Sequence, residues 1–129
     1  MEREARFKIV YMQDAIDFLT LLPQKARVKV VYNIGKSMFV LDNSLFKKLG
    51  NTDIWEFRTL YDGMAYRLFA FWDTDAETLV VATHGITKKT QKTPLKEIKK
   101  AEEKRKEYFN NKEIDINEYT DLLIEIIKK

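Results

Sequence analysis

A basic loop joins a strand to a helix in the stretch His84-Gly85-Ile86-Thr87-Lys88-Lys89-Thr90-Gln91-Lys92-Thr93-Pro94. The apolar run at 78–83 that precedes it predicts a buried strand. Thr93 is expected to cap the helix that follows, because its hydroxyl can accept a free first-turn N–H, and Pro94 suits the first helical position. Apolar residues at helical spacing between 95 and 109 predict that one face of this helix lies on a sheet.

Positive charge is concentrated in this part of the chain. Residues 84–109 carry nine Lys or Arg against four Glu, a local net charge of +5, whereas the whole chain has a net charge of +3. Such a basic segment is typical of a protein that meets a polyanion. The plain alternative for residues 96–107 is a solvated helix face with i,i+4 Glu–Lys pairs. Lys88, Lys89 and Lys92 precede the helix and have no such partners.

Composition indicates one soluble globular domain. The chain has 129 residues, of which 45% are hydrophobic and 33% charged, which suffices for a single core. It has no cysteine, which excludes disulfides and thiolate metal sites. Acidic residues interrupt the short apolar runs near the N-terminus, so we expect neither a signal peptide nor a spanning helix. We therefore predict a cytoplasmic protein.

The N-terminal part predicts a strand followed by a helical hairpin. Polar and apolar residues alternate over 6–11, as in a half-buried strand. Asp14 is the expected N-cap of a first helix that Pro23 ends, and a second helix continues to about Met38. Residues 39–53 hold no long period, and we expect an ordered loop there.

The clearest β-hairpin joins residues 54–61 to residues 65–72 through the turn Asp62-Gly63. A further turn at 73–76 leads to the strand that ends at Thr83. These patterns predict an α+β domain in which an N-terminal strand and helical hairpin pack on an antiparallel sheet of about four strands, with C-terminal helices.

Two arginines stand out in this hairpin. Alternation puts Arg58 on the same face as Glu56, and Arg67 lies in an otherwise apolar strand, where an unpaired charge is costly. If the two guanidinium groups share a sheet face, they converge beside the lysine loop and suit a phosphodiester. The alternative for Arg58 is a cross-strand ion pair with Glu56 or another acid.

These residues resemble a known family. The matching series is Ile54-Trp55-Glu56-Phe57-Arg58, Asp62-Gly63, Tyr66-Arg67, His84-Gly85-Ile86, Lys88-Lys89-Thr90-Gln91-Lys92-Thr93-Pro94, Glu97-Ile98 and Ala101. It resembles the phage-derived HigB-like branch of the RelE/ParE toxin superfamily, over about residues 5–109. The resemblance implies a small α+β toxin of a type II toxin–antitoxin pair that cleaves messenger RNA, usually in the ribosomal A site. It also implies that Arg58, Arg67 and Lys88-Lys89 occupy the positions of the family's basic functional residues.

The chemistry of metal-free RNA cleavage agrees with these candidates. The 2′-OH attacks the adjacent phosphorus, so the enzyme must hold the phosphate, offset transition-state charge and move two protons. We predict that Arg58, Arg67, Lys88 and Lys89 are catalytic, since clustered cations lower a lysine pKa. We predict that Lys92, Gln91 and His84 contact RNA, with a structural role at the strand end as the alternative for His84. Without a cluster of His, Asp and Glu at metal-ligand spacing, we expect neither a metal nor another cofactor.

Three functions remain in competition at this point. A ribosome-dependent endoribonuclease fits the basic residues best, a gyrase-directed toxin of the ParE type shares the implied fold, and a non-catalytic RNA-binding or interaction module is the third. The partners implied by the first are a cognate antitoxin of the helix-turn-helix type, the ribosome and messenger RNA, and no membrane.

The C-terminal segment is predicted to add one more element. We place the toxin domain at residues 1–111 and an additional amphipathic helix of the same domain at residues 112–129, where apolar residues from Ile116 to Ile127 form one stripe. This helix is expected either to dock on its own domain or to offer its apolar face to an antitoxin or a second copy.

Overall fold

The computed structural model describes residues 4–75, 78–89 and 92–111. Eight elements follow one another along this part of the chain. In order they are β1 (Lys8–Tyr11), α1 (Gln13–Leu21), α2 (Gln24–Ser37), β2 (Phe46–Lys48), β3 (Trp55–Tyr61), β4 (Met64–Trp72), β5 (Leu79–Lys88) and α3 (Leu95–Asn110).

One five-stranded sheet organises the fold, with the strand order β1-β5-β4-β3-β2. β1 pairs with β5 in parallel, and every other neighbouring pair is antiparallel. The predicted α+β class, the helical hairpin and the β3–β4 hairpin are confirmed. The sheet has one more strand than the four expected, because the three-residue β2 forms within the predicted loop 39–53. The Phe46 ring stacks on the Phe57 ring at 4.2 Å between centroids and holds β2 to the edge of β3.

Helices cover both faces of the sheet and enclose two apolar clusters. The first cluster lies between the α1–α2 hairpin and one sheet face, and it includes Leu19, Val30 and Leu68. The second lies between α3 and the other face, and it includes Phe69, Phe71 and Ala101. Because the central strand β4 is buried by both layers, residues that alternate along it face α1–α2 and α3 in turn.

The strand β5 is irregular where it passes Phe69 of β4. Leu68 pairs with Gly85 and Ala70 pairs with Ala82, so Thr83 and His84 together oppose Phe69, which is a β-bulge. Beyond the bulge, Gly85 lies against the Phe18 ring of α1 so closely that a Cβ atom there would overlap the ring. A glycine is therefore required at this position by the approach of α1.

Two predicted helix caps are wrong. Met12 is the N-cap of α1 and Pro94 the N-cap of α3, and neither helix has a side-chain cap hydrogen bond. Asp14 lies inside the first turn of α1, where its carboxylate pairs with Lys104 of α3 at 2.7 Å. The Thr93 hydroxyl likewise makes no cap and instead donates a hydrogen bond to Glu56 on β3.

No helix within residues 4–75, 78–89 and 92–111 is long and apolar enough to cross a bilayer. The predicted amphipathic helix at 112–129 lies outside the described residues.

Candidate active site

Arg58 and Arg67 lie side by side on the α3 face of the sheet. They are directly opposite one another in the antiparallel β3–β4 register, and Ile86 of β5 is the next residue across. The predicted convergence of the two guanidinium groups on one face is therefore confirmed, while their catalytic role stays a prediction. Arg67 is 1% exposed, whereas the Arg58 side chain is 25% exposed. The pair thus runs from the interior to the protein surface.

Glu56 is the acidic partner of both arginines. Its Oε1 atom lies 3.4 Å from Nε of Arg58 and 3.6 Å from Nε of Arg67, and the residue is 3% exposed. The ion pair considered as an alternative for Arg58 is therefore present together with the arginine pair. Burial lowers the pKa of Arg67, as does nearby Arg58, while the Glu56 charge opposes this shift.

Thr93 connects this group of charges to the start of α3. Its hydroxyl donates a hydrogen bond of 2.8 Å to Oε2 of Glu56, so both carboxylate oxygens are engaged. Because Thr93 stands just before the α3 N-cap Pro94, the helix and the charged group on β3 are joined at this point. The hydroxyl that sequence reasoning assigned to a helix cap serves this contact.

Lys88 lies near the same group on the neighbouring strand. It is paired with Ala65, two residues from Arg67 on the same face of β4, and its Nζ atom is buried. Among the described residues, that nitrogen has no hydrogen-bond partner. Burial lowers the pKa of Lys88, the Arg67 and Arg58 charges lower it further, and Glu56 opposes them. Lys88 is thus the member of the predicted lysine set that the fold brings to the arginines.

Three other loop residues were predicted to take part in the site. Two of them are exposed, and one lies outside the described residues. Lys89 and Lys92 are exposed, where they are available to a polyanion. Gln91 lies outside the described residues, so its predicted RNA contact stays a prediction.

His84 occupies a different environment, beneath α3. It is 3% exposed, its ring lies 4.9 Å from the Phe69 ring, Nδ1 is 2.9 Å from the Thr83 hydroxyl, and Nε2 is 3.5 Å from Oε1 of Glu97. Burial, followed by the charge of Lys100 on α3, lowers the pKa of His84 to about 4, so the ring is neutral at pH 7. This setting favours the structural alternative for His84, and a direct RNA contact would require α3 to move.

A small pocket opens beside the arginines. It has a volume of about 120 Å³ and is lined by Ser44, Arg58, Thr59, Leu60 and Arg67. The charged group next to it consists of the Glu56 carboxylate and the cations of Arg58, Arg67 and Lys88, a net charge of +2. A concave surface with two adjacent guanidiniums is suited to a phosphate group, whose oxygens they can contact in pairs.

Sequence reasoning missed two residues of this arrangement as site residues. Glu56 was considered only as a partner that would neutralise Arg58, and Thr93 only as a helix cap. The i,i+2 spacing of Glu56 and Arg58 was the available signal for the first. No local signal identifies Thr93, because its contact with Glu56 joins residues 37 positions apart.

Among the described residues, no three His, Cys, Asp or Glu side chains come together in a group that could hold a metal ion. The expectation of a metal-independent reaction remains a prediction.

Comparison with known proteins identifies both a family and a fold. The family model described as "Phage derived protein Gp49-like (DUF891)" matches residues 17–106. None of the curated proteins matches the chain. Among solved structures, the toxin–antitoxin complex RelBE2 from Mycobacterium tuberculosis contains a similar chain. The TM-score is 0.52 at 19% identity, over 70% of this chain and 100% of that one, a likeness that establishes the fold.

Proposed function

The chain belongs to the phage-derived Gp49-like family, within the HigB-like branch of the RelE superfamily, and from this premise we propose that it is a ribosome-dependent messenger RNA endonuclease. In this role it is the toxin of a type II toxin–antitoxin pair, held inactive by a cognate antitoxin and released to stop translation. The resemblance drawn from the sequence is confirmed at the level of the family. The activity is our inference from the site.

The observation that carries the proposal is the adjacent, partly open pair of arginines, beside which lies a lysine with a buried amine. Two guanidiniums at neighbouring cross-strand positions can contact the non-bridging oxygens of one phosphate. In the transition state of RNA cleavage these oxygens gain negative charge, and preoriented donors then stabilise them more than they stabilise the substrate. Arg58 and Arg67 are the residues that we assign to this task.

Proton transfer is assigned to Lys88. Its lowered pKa increases the neutral fraction of the amine near pH 7, so it can accept the proton of the attacking 2′-OH. The new bond forms between the 2′-oxygen and phosphorus, the bond from phosphorus to the 5′-oxygen breaks, and the protonated Lys88 returns its proton to that leaving oxygen. The products are a 2′,3′-cyclic phosphate and a 5′-hydroxyl end, and no electrons are exchanged with another reactant.

The exposed Lys89 and Lys92 extend the positive surface away from the reaction centre. We infer that they bind the backbone of the messenger or of ribosomal RNA, since phosphate contacts from lysine position a nucleic acid without reading its sequence. This division leaves catalysis to Arg58, Arg67 and Lys88 and backbone binding to the exposed Lys89 and Lys92.

A gyrase-directed toxin of the ParE type remains the second candidate, because it shares the fold. It does not require a group of cations around a phosphodiester, and the presence of Arg58, Arg67 and Lys88 together favours the ribonuclease.

The test is to incubate the purified protein with ribosomes that carry a defined messenger and to map new 5′ ends. We expect cleavage within the messenger that leaves 5′-hydroxyl ends, and a loss of cleavage in Lys88→Gln. The matched control is Lys96→Gln, which removes an exposed lysine of α3 and should cleave as the parent does. Inhibition of gyrase supercoiling without any new messenger ends would reject the ribonuclease and support the ParE type.

A further inference from the structure

We propose that Glu56 is a positioning residue: its carboxylate, held by Thr93 at the start of α3, orients Arg58 and Arg67 for the phosphate. The inference rests on the proposed function for its chemistry, whereas the contacts that support it are independent of that function.

The carboxylate is fixed on both sides. Oε2 accepts the hydrogen bond of Thr93 at 2.8 Å, and Oε1 lies 3.4 and 3.6 Å from the Nε atoms of the two arginines. Glu56 is 3% exposed, so water does not compete effectively for these contacts. The contacts with the two Nε atoms are ion pairs rather than hydrogen bonds. A fixed negative charge beside both Nε atoms limits the rotamers that the two arginines can adopt, because Nε sets the orientation of the guanidinium plane.

The charge balance of this sheet face is a second reason to assign a positioning role to the Glu56 carboxylate. Three cations share this face, and burial already lowers the pKa of two of them, Arg67 and Lys88. Like charges at directly opposite positions in a sheet repel each other, as Arg58 and Arg67 do here. The Glu56 charge offsets part of this repulsion and leaves the group with a net charge of +2 when Lys88 is protonated and +1 when its amine is neutral.

Thr93 makes the geometry dependent on α3. The helix is attached to the sheet by buried contacts, among them the 2.6 Å hydrogen bond from the Tyr108 hydroxyl to Asp73. At its other end, the residue before the N-cap reaches Glu56. The docking of α3 therefore sets the position of the carboxylate, and through it the position of the arginines.

The charged groups around Glu56 determine the effect of its removal. Lys47 lies opposite Glu56 on β2 and is exposed. Arg67 lies on β4 and Lys88 on β5. On α3, the carboxylate of Glu97 lies 3.5 Å from Nε2 of His84. Of these, Lys88 titrates in the proposed reaction, and Glu56 raises its pKa. Removal of the carboxylate charge should lower the pKa of Lys88 further. The acidic limb of the rate profile, along which Lys88 becomes neutral, should then move to lower pH.

The experiment uses the full chain and four variants. Glu56→Gln removes the charge, Thr93→Val removes the hydroxyl, and Thr93→Ser retains it. Glu103→Gln removes an exposed acid of α3 as the matched control. The arginine Nε–H signals in ¹H–¹⁵N NMR spectra report whether Arg58 and Arg67 are held, and ribosome-dependent cleavage gives kcat, KM and the pH profile.

The expected result has two parts. Glu56→Gln and Thr93→Val should broaden or shift the Nε–H signals of both arginines, while Thr93→Ser and Glu103→Gln should leave them unchanged. In cleavage, kcat should fall about 10²-fold in Glu56→Gln, as for a misplaced catalytic group, with a smaller change in KM and an acidic limb at lower pH. Thr93→Ser should recover the activity that Thr93→Val loses.

Two outcomes would overturn the inference. One is unchanged arginine signals in folded Glu56→Gln and Thr93→Val, and the other is a loss of kcat in Glu56→Gln with an unmoved pH profile. If the parent protein fails to cut messenger RNA, the proposed function fails. The NMR spectra still decide in that case whether Glu56 holds the arginines.

Discussion

Replacing Arg67 with methionine should separate activity from stability. Arg67 is among the largest fully buried side chains, so alanine would leave a cavity there, whereas methionine fills a comparable space without a charge. The variant removes one of the two phosphate-binding guanidiniums and leaves Arg58, Glu56 and Thr93 in place. We expect a folded protein that has lost most of its cleavage activity.

The size of each effect follows from the contacts. In the parent, one carboxylate faces three cations, and in the variant it still faces two, with Oε1 3.4 Å from Arg58 and Oε2 bonded to Thr93. No buried charge is left uncompensated, and the desolvation cost of Arg67 disappears, so the free energy of unfolding should change by less than about 1.5 kcal/mol. Loss of one transition-state donor costs about 10²–10³ in rate, or roughly 2.7–4 kcal/mol.

Thermal unfolding and ribosome-dependent cleavage measure the two quantities on the same preparations. The Tm should move by less than about 8 °C, as expected for a change of this size in a small domain. Arg27→Met is the matched control, since Arg27 lies on α2, away from the site, and its guanidinium donates a hydrogen bond to the Thr20 carbonyl oxygen. Full cleavage by folded Arg67→Met would refute the assignment of Arg67 to the phosphate. Unfolding of the variant would refute the charge argument.

Four further outcomes can be measured. Gly85→Ala should lower the free energy of unfolding by about 1–3 kcal/mol in urea denaturation, because the new methyl group overlaps a ring of α1. Acidification from pH 7 to pH 5 should cost about 2 kcal/mol of stability, since His84 has a pKa of about 4 when folded and 6.5 when unfolded, and His84→Asn should flatten this dependence. Replacing Lys89 and Lys92 with glutamine should reduce the slope of RNA binding against salt by about 1.5, since each lost phosphate contact contributes about 0.7–0.9, whereas an unchanged slope would show that neither contacts RNA. Deleting residues 113–129 should lower the Tm if this segment docks on its own domain, and an unchanged Tm with lost antitoxin binding or dimerisation would favour the partner.

Much of the fold could be predicted because its signals are local. The hairpin around Asp62-Gly63 follows from alternation and a strong turn, and Asp62 indeed has a φ of 51° and Gly63 a φ of 77°. The helical hairpin follows from apolar spacing broken at Pro23. The strand β2 could not be predicted, because three residues carry no period and its pairing depends on the stacking of Phe46 on Phe57.

The site was predictable only in part, for a related reason. The shared face of Arg58 and Arg67 follows from alternation once the hairpin register is known, since the turn determines which residues are opposite. The contact of Thr93 with Glu56 depends on where α3 begins relative to β3, and no local pattern encodes that distance. The difference in burial between Lys88 and Lys89 likewise comes from pairing with β4.

The bulge on β5 determines which face of the sheet Lys88 occupies. In a regular strand, the side chains after Ala82 would continue the alternation that puts Val81 beneath α3, and Ile86 and Lys88 would then point toward the α1–α2 hairpin. The extra residue opposite Phe69 reverses the alternation, so that Lys88 instead lies on the face of the arginines. A deletion at position 83 or 84 would remove the bulge and leave Lys88 opposite Ala65, on the face of the arginines. A single deletion at position 86 or 87, beyond the bulge, should instead turn the lysine to the other side of the sheet while most of the sequence is retained. Among natural relatives, such an indel would mark a chain that keeps the fold but has lost this chemistry.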